Sequence, residues 1–89
     1  MDVELIKIKE YASKMALMFA DKASKGVQTD CYIRHSIERQ AFWRNIAQLP
    51  PDSEYWKHVK KYFRLMSDSQ ATQSEIRTLY HFLREKFSS

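Results

Sequence analysis

The sequence is poor in the residues that make tight turns or covalent cross-links. It has one glycine, two prolines and one cysteine among 89 residues. Scarce glycine and proline exclude the many turns of a β-sandwich or barrel, and one glycine is too few for a phosphate-cradling loop. A single cysteine excludes an intramolecular disulfide framework and is typical of a reducing compartment.

Long apolar runs are also missing. The longest continuous run, from Met15 to Ala20, has six residues, whereas a membrane-spanning helix needs about 20. The opening residues Met-Asp-Val-Glu-Leu lack the basic stretch and small-residue cleavage site of a signal peptide. The sequence therefore predicts a cytoplasmic protein without a membrane partner.

Patterns that carry catalysis or bind metal are sparse as well. Neighbouring acidic residues lie at predicted helix starts, where a negative charge favourably meets the helix dipole. Cys31 and His35, four residues apart, supply two ligands, which is fewer than a four-coordinate zinc site requires. We therefore predict that the protein is not an enzyme, and that it has no metal, no cofactor and no small-molecule substrate.

The composition that remains belongs to a folded helical protein, since 44% of the residues are hydrophobic and 29% are charged. Hydrophobic spacing predicts four helices in a single all-α domain over residues 1–89. The simplest arrangement is a small antiparallel bundle of four helices with short loops. A three-helix core with one helix docked elsewhere is the main alternative.

The first predicted helix runs from Val3 to Lys25, where Asp2 can cap its start and Gly26 is well placed to end it. Its apolar residues recur every three or four positions, as in the packing face of a coiled coil. This seam consists of Met1, Leu5, Ile8, Ala12, Met15 and Phe19.

The second predicted helix starts at Thr29 or Asp30 and ends at Leu49, because Pro50-Pro51 follows. It is apolar on two sides. One stripe is formed by Ile33, Ile37 and Ala41, and the other by Cys31, Phe42, Ile46 and Leu49.

The third predicted helix starts at Asp52 or Ser53. Its apolar stripe consists of Trp56, Val59, Phe63 and Met66, with Tyr55 and Tyr62 alongside. The fourth begins at the capping-box sequence Thr72-Gln73-Ser74-Glu75. Its stripe consists of Ile76, Leu79, Tyr80, Leu83 and Phe87.

Basic residues are concentrated on the third predicted helix of a chain whose net charge is +4. Four of them form a basic strip that covers about 100° of the helical wheel, with no acidic residue between them: Lys57, Lys60, Lys61 and Arg64. Arg77, near the start of the fourth helix, also has the right chemistry for a phosphate or a base edge. These cations predict a site for nucleic acid or for an acidic partner: Lys57, Lys60, Lys61, Arg64 and Arg77.

The helices offer more apolar surface than a chain of this size easily buries. Tyr11 and Met18 widen the apolar face of the first helix, and Trp43 lies off both stripes of the second. We predict Tyr11, Met18 and Trp43 for a protein interface, and burial in the core is the alternative for Trp43.

Two functional hypotheses follow from these residues. The leading one is a non-enzymatic interaction protein, such as a small adaptor, subunit or inhibitor, that binds a macromolecular partner through its helical faces. The partner is expected to be a protein, and a homodimer formed through the first helix is one form of it. The alternative is a nucleic-acid-binding module that uses the basic strip to bind DNA or RNA.

Overall fold

The computed structural model describes residues 2–24 and 30–88, and within these ranges the chain forms four α-helices and no strand. The predicted all-α class is therefore confirmed. Four residues of the sequence predictions lie outside the described residues: the seam residue Met1, the predicted helix end at Lys25 and Gly26, and the possible cap Thr29. The helices are α1 (Val3–Ser24), α2 (Asp30–Ala47), α3 (Trp56–Ser67) and α4 (Gln73–Ser88).

The chain divides into two compact units. The first, called here the α3–α4 unit, comprises Met1–Ile8 and Leu49–Ser89, and so contains α3, α4 and the start of α1. The second, the α1–α2 unit, comprises Lys9–Gln48. The single domain expected for residues 1–89 stays a prediction.

In the α3–α4 unit the two helices form an antiparallel pair. The Tyr62 and Tyr80 rings lie 6.4 Å apart, and the His58 and Phe82 rings lie 5.0 Å apart. Residues nearer the start of α3 therefore contact residues nearer the end of α4, which is the antiparallel packing that the sequence predicts.

The core of this unit matches most of the predicted stripes. Trp56 and Val59 are buried on α3, and Tyr80 and Leu83 are buried on α4. On α3, Tyr62 is buried in place of Phe63, which is half-buried. Residues 59 and 62 share a helical face three positions apart, so the pairing with α4 decides which aromatic ring is enclosed.

The start of α3 is four residues later than Asp52, the earliest predicted start, because a turn occupies the preceding segment. Pro50 supplies the carbonyl oxygen that closes this turn, accepting the Ser53 N–H at 3.0 Å and the Trp56 Nε1–H at 2.6 Å. The Ser53 hydroxyl accepts the Tyr55 N–H at 3.2 Å. Ser53 thus stabilises the turn, and the prediction that the helix starts at Asp52 or Ser53 is wrong, since α3 starts at Trp56.

The start of α4 agrees with the sequence. The Thr72 hydroxyl accepts the Glu75 N–H at 3.2 Å, and the Glu75 carboxylate accepts the Thr72 N–H at 3.2 Å. These reciprocal bonds satisfy two backbone donors that a helix start otherwise leaves unpaired. The predicted capping box is confirmed.

In the α1–α2 unit, Ala12 of α1 is fully buried, and α2 buries a face that includes Ser36, Phe42, Trp43 and Ile46. The stripe containing Ile37 faces solvent instead, since 54% of that residue is exposed. Of the two faces predicted for α2, the one with Phe42 and Ile46 therefore belongs to the core.

Within the described residues, no helix is both long enough and apolar enough to cross a membrane.

Candidate functional site

The basic strip of α3 is divided between two flanks of the helix. On one flank, Lys60 Nζ forms an ion pair with the Asp2 carboxylate, and Arg64 forms a bidentate pair with Glu4. The Arg64 Nη2–Oε1 and Nε–Oε2 distances are 3.0 and 3.3 Å. The first residues of the chain thus provide carboxylates for two of the four strip cations.

Asp2 has two structural roles at the start of α1. One carboxylate oxygen accepts the Leu5 N–H at 3.2 Å, which caps the helix, and the other binds Lys60. The hydrogen bond from Lys60, followed by that from the Leu5 N–H, lowers the pKa of the Asp2 carboxyl below its ordinary value of 3.8. Asp2 is therefore a carboxylate at neutral pH, and it forms an ion pair with Lys60.

Lys57 and Lys61 remain exposed on the strip and make no ion pair within the described part of the chain. Lys61 lies at the flank of α3 that faces α4, and Lys57 precedes it by one turn. Two exposed cations are therefore available to a partner, and Lys61 is the one that lines the groove with α4.

A groove between α3 and α4, the α3–α4 groove, runs beside these lysines. Its volume is about 530 Å³, and its apolar surface comes from Leu65 of α3 and from Leu79 and Phe82 of α4. Polar residues lie around this surface. The full lining is His58, Lys61, Leu65, Ser74, Glu75, Thr78, Leu79 and Phe82.

Phe82 is the most accessible large apolar side chain of the groove, with 37% of its surface exposed. Its ring lies 5.0 Å from the His58 ring at an interplanar angle of 60°. Lys86 Nζ lies 5.6 Å from the Phe82 ring centroid, a cation–π distance. These contacts hold the phenyl ring in place while they leave one side open to the groove.

Phe82 is the site residue that the sequence reasoning missed. It lies about 100° from Leu83 on the helical wheel of α4, outside the predicted apolar stripe. A large aromatic residue on the polar side of an amphipathic helix is the signal that could have found it.

Arg77 does not join the other cations. It is exposed, and it lies about 140° around α4 from Phe82, so the two side chains leave the helix on different sides. The five predicted cations therefore fall into three places: the ion-paired flank of α3, the groove flank of α3, and the far side of α4.

The three residues predicted for a protein interface belong to the α1–α2 unit. Tyr11 and Met18 are 40% and 38% exposed, whereas Trp43 is 3% exposed and meets Tyr11 edge-on at 5.4 Å between ring centroids. Trp43 thus takes the core position that was the alternative for it, and it does not contribute to the surface. Its burial follows from the orientation of α2, whose face with Ser36 is also enclosed.

A second cavity, of about 440 Å³, lies between α1 and α2. Leu17, which is 73% exposed, is its most accessible apolar residue, and the sequence reasoning did not single it out. Small residues such as Ala16 and Ala20 form much of the remaining lining. This cavity lacks both the aromatic ring and the row of cations found at the α3–α4 groove.

Across residues 2–24 and 30–88, no cluster of three or more histidine, cysteine, aspartate or glutamate side chains could hold a metal ion. Cys31, one of the two possible ligands that lie four residues apart in the sequence, is exposed. The groove is therefore the feature in this part of the chain that has the most developed surface for a partner.

Comparison of the chain with protein-family models, curated proteins and solved structures finds no match.

Proposed function

We propose that this protein is a non-enzymatic interaction protein whose α3–α4 groove binds a segment of a partner protein. The observation that carries the proposal is the exposed Phe82 ring, held by His58 and Lys86 beside the half-buried Leu65 and Leu79. A small adaptor, subunit or inhibitor is the role that such a module fulfils. The cytoplasmic location expected from the sequence belongs to this proposal.

The groove has the features of sites that receive an amphipathic helix. Two antiparallel helices form its walls, and an apolar surface between them is bordered by polar side chains. Helix-in-groove recognition places apolar residues of the partner, three or four positions apart, on such a surface. An accessible aromatic ring such as Phe82 is typical of the residues that dominate binding energy.

The ion pairs on the other flank of α3 favour this proposal over nucleic-acid binding. Non-specific binding to nucleic acid depends on several simultaneous phosphate contacts. Lys60 and Arg64 already bind Asp2 and Glu4, and Arg77 lies on the far side of α4. Two exposed strip cations remain, Lys57 and Lys61, and Lys61 lines an apolar groove rather than extending a continuous phosphate track.

Selection of peptides from a displayed library tests the proposal. The wild-type protein is the bait, and the selected peptides are then measured against Phe82→Glu. We expect their affinity to fall at least about tenfold, because a charge replaces the most accessible apolar ring of the groove. Circular dichroism of Phe82→Glu checks that the helices are retained.

Ile37→Glu is the matched control, since Ile37 is an exposed apolar residue of the α1–α2 unit. The proposal predicts that this variant binds the selected peptides as the wild type does. It is contradicted if no peptide is enriched, or if Phe82→Glu binds the enriched peptides as tightly as the wild type.

A further inference from the structure

We infer that the partner segment is an acidic amphipathic helix, whose apolar face enters the α3–α4 groove while its carboxylates meet the lysines at the rim. This inference rests on the proposed function and adds the chemistry of the partner.

The charges around the groove are the first argument. Lys61 lines the groove, Lys57 lies one turn before it, and Lys86 lies over the Phe82 ring. The acidic residue in the lining, Glu75, uses its carboxylate to cap α4 by accepting the Thr72 N–H. Two lysines at the groove, Lys61 and Lys86, outnumber the one carboxylate of its lining, Glu75, and this excess of positive charge favours an anionic partner.

The opposite flank of α3 is the second argument, because it already binds the kind of group that we assign to the partner. Asp2 and Glu4, at the start of α1, meet Lys60 and Arg64 of the same basic strip. The contact is specific in geometry, since Arg64 holds both oxygens of the Glu4 carboxylate. Carboxylates carried by a helix are thus an observed ligand of this strip.

The apolar surface is the third argument, because it distinguishes a helix from a simple polyanion. Leu65, Leu79 and Phe82 would gain nothing from a phosphate backbone, whereas apolar residues at positions i, i+3 or i+4, and i+7 of a helix would cover them. Acidic residues beside those positions then lie within reach of Lys57 and Lys61.

A second copy of this chain does not fit the same site. Its net charge is +4, and each of its four helices has more basic than acidic residues. A homodimer formed through the groove would therefore bring lysines against lysines, which is unfavourable. The charge balance points to a different protein as the partner.

Fluorescence anisotropy with designed peptides tests the inference. The probes are three labelled helices of about four turns that share one leucine face and carry glutamate, glutamine or lysine at the flanking positions. At low salt, we expect wild-type protein to bind the glutamate helix about tenfold more tightly than the glutamine helix, and the lysine helix least tightly. Added salt should reduce this preference, because the rim lysines are exposed.

Protein variants assign the preference to particular residues. Lys57→Glu/Lys61→Glu should abolish the preference for the glutamate helix. Lys7→Glu/Lys14→Glu changes the net charge equally at exposed positions of α1, and it should keep the preference. Phe82→Ala should lower the affinity for the glutamate and glutamine helices alike, because it reduces the apolar surface of the groove.

The outcomes that overturn the inference are distinct from those that overturn the proposed function. Equal affinity for the glutamate and glutamine helices, with both weakened by Phe82→Ala, overturns the acidic partner and leaves the groove as a binding site. Binding of neither helix also overturns the inference, and the peptide selection then decides on the proposed function. Tighter binding to labelled duplex DNA or single-stranded RNA, unaffected by Phe82→Ala, overturns both in favour of nucleic acid.

Discussion

Individual side chains determine how much of the basic strip is available to a partner. Lys60, whose side chain is 25% exposed, and Arg64 are both held by carboxylates near the start of the chain. Lys57 and Lys61 are exposed, and Lys61 lines the groove. Two residues of the strip therefore stabilise the α3–α4 unit, and the other two offer positive charge to a partner.

Replacing Asp2 with asparagine removes the charge that meets Lys60 and keeps an oxygen for the Leu5 N–H. The pKa of Asp2 is lowered in the folded protein, so its contribution to stability is present above its ordinary value of 3.8. That contribution is lost as the pH falls through the lowered pKa. We expect Asp2→Asn to melt at a lower temperature than the wild type at about pH 7, and the difference to vanish near about pH 2.

Thermal unfolding followed by circular dichroism at both pH values measures this effect. The same substitution in a Lys60→Gln background separates the ion pair from the interaction of Asp2 with the dipole of α1. A difference in melting temperature that persists at acid pH would contradict the assignment to a carboxylate.

Two aromatic residues show what sequence patterns miss about exposure. Trp43 lies off the predicted stripes of α2 yet is buried, and Phe82 is part of the groove although no stripe includes it. The buried face of α2 contains the small polar Ser36, which a count of apolar residues does not register. Which side of a helix is buried depends on its neighbours, and the periodicity of α2 was compatible with burial of either of two sides.

The helices themselves were largely predictable. The α1 and α4 starts at Val3 and Gln73 agree with the sequence because their signals are local: an aspartate cap in one and a capping box in the other. The start of α3 was mispredicted since it depends on the Trp56 indole binding the Pro50 carbonyl across a turn. Local sequence patterns do not encode that side-chain contact.

Removal of the capping box should destabilise α4 measurably. Thr72→Ala deletes the hydroxyl that accepts the Glu75 N–H, and we expect a loss of about 1 kcal/mol in the free energy of unfolding. Urea denaturation measures it. Thr78→Ala removes the same type of side chain from the exposed interior of α4, where we expect no loss, because alanine has the higher helix propensity. Equal effects of the two substitutions would show that the cap does not stabilise the helix.

Whether the whole chain unfolds cooperatively can be tested directly, because each compact unit contains one buried tryptophan. Trp43 reports on the α1–α2 unit and Trp56 on the α3–α4 unit. The single domain predicted from the sequence requires both units to unfold together. In Trp43→Phe and in Trp56→Phe, we expect the fluorescence of the remaining tryptophan and the circular dichroism to give the same urea midpoint. Different midpoints within either variant would contradict a single cooperative domain.

The candidate site combines features that the sequence predicted with others that it did not. Four of the five predicted cations lie on one helix, α3, as their local spacing predicts, and Arg77 lies on α4. The partners of Lys60 and Arg64 lie 58 and 60 residues away in sequence, so no local pattern indicates that half of the strip is already paired. The groove depends in the same way on the pairing of α3 with α4.

An amide chemical-shift map of nitrogen-15-labelled protein, titrated with the glutamate helix, locates the binding site residue by residue. We expect the largest shifts on residues of the groove, such as Lys61, Leu65 and Phe82. The amide signals of Leu17 and Ile37 in the α1–α2 unit should not shift. Shifts centred on Leu17 and Ile37, or no shifts at saturating peptide, would contradict the claim that this protein acts by binding a partner in the α3–α4 groove.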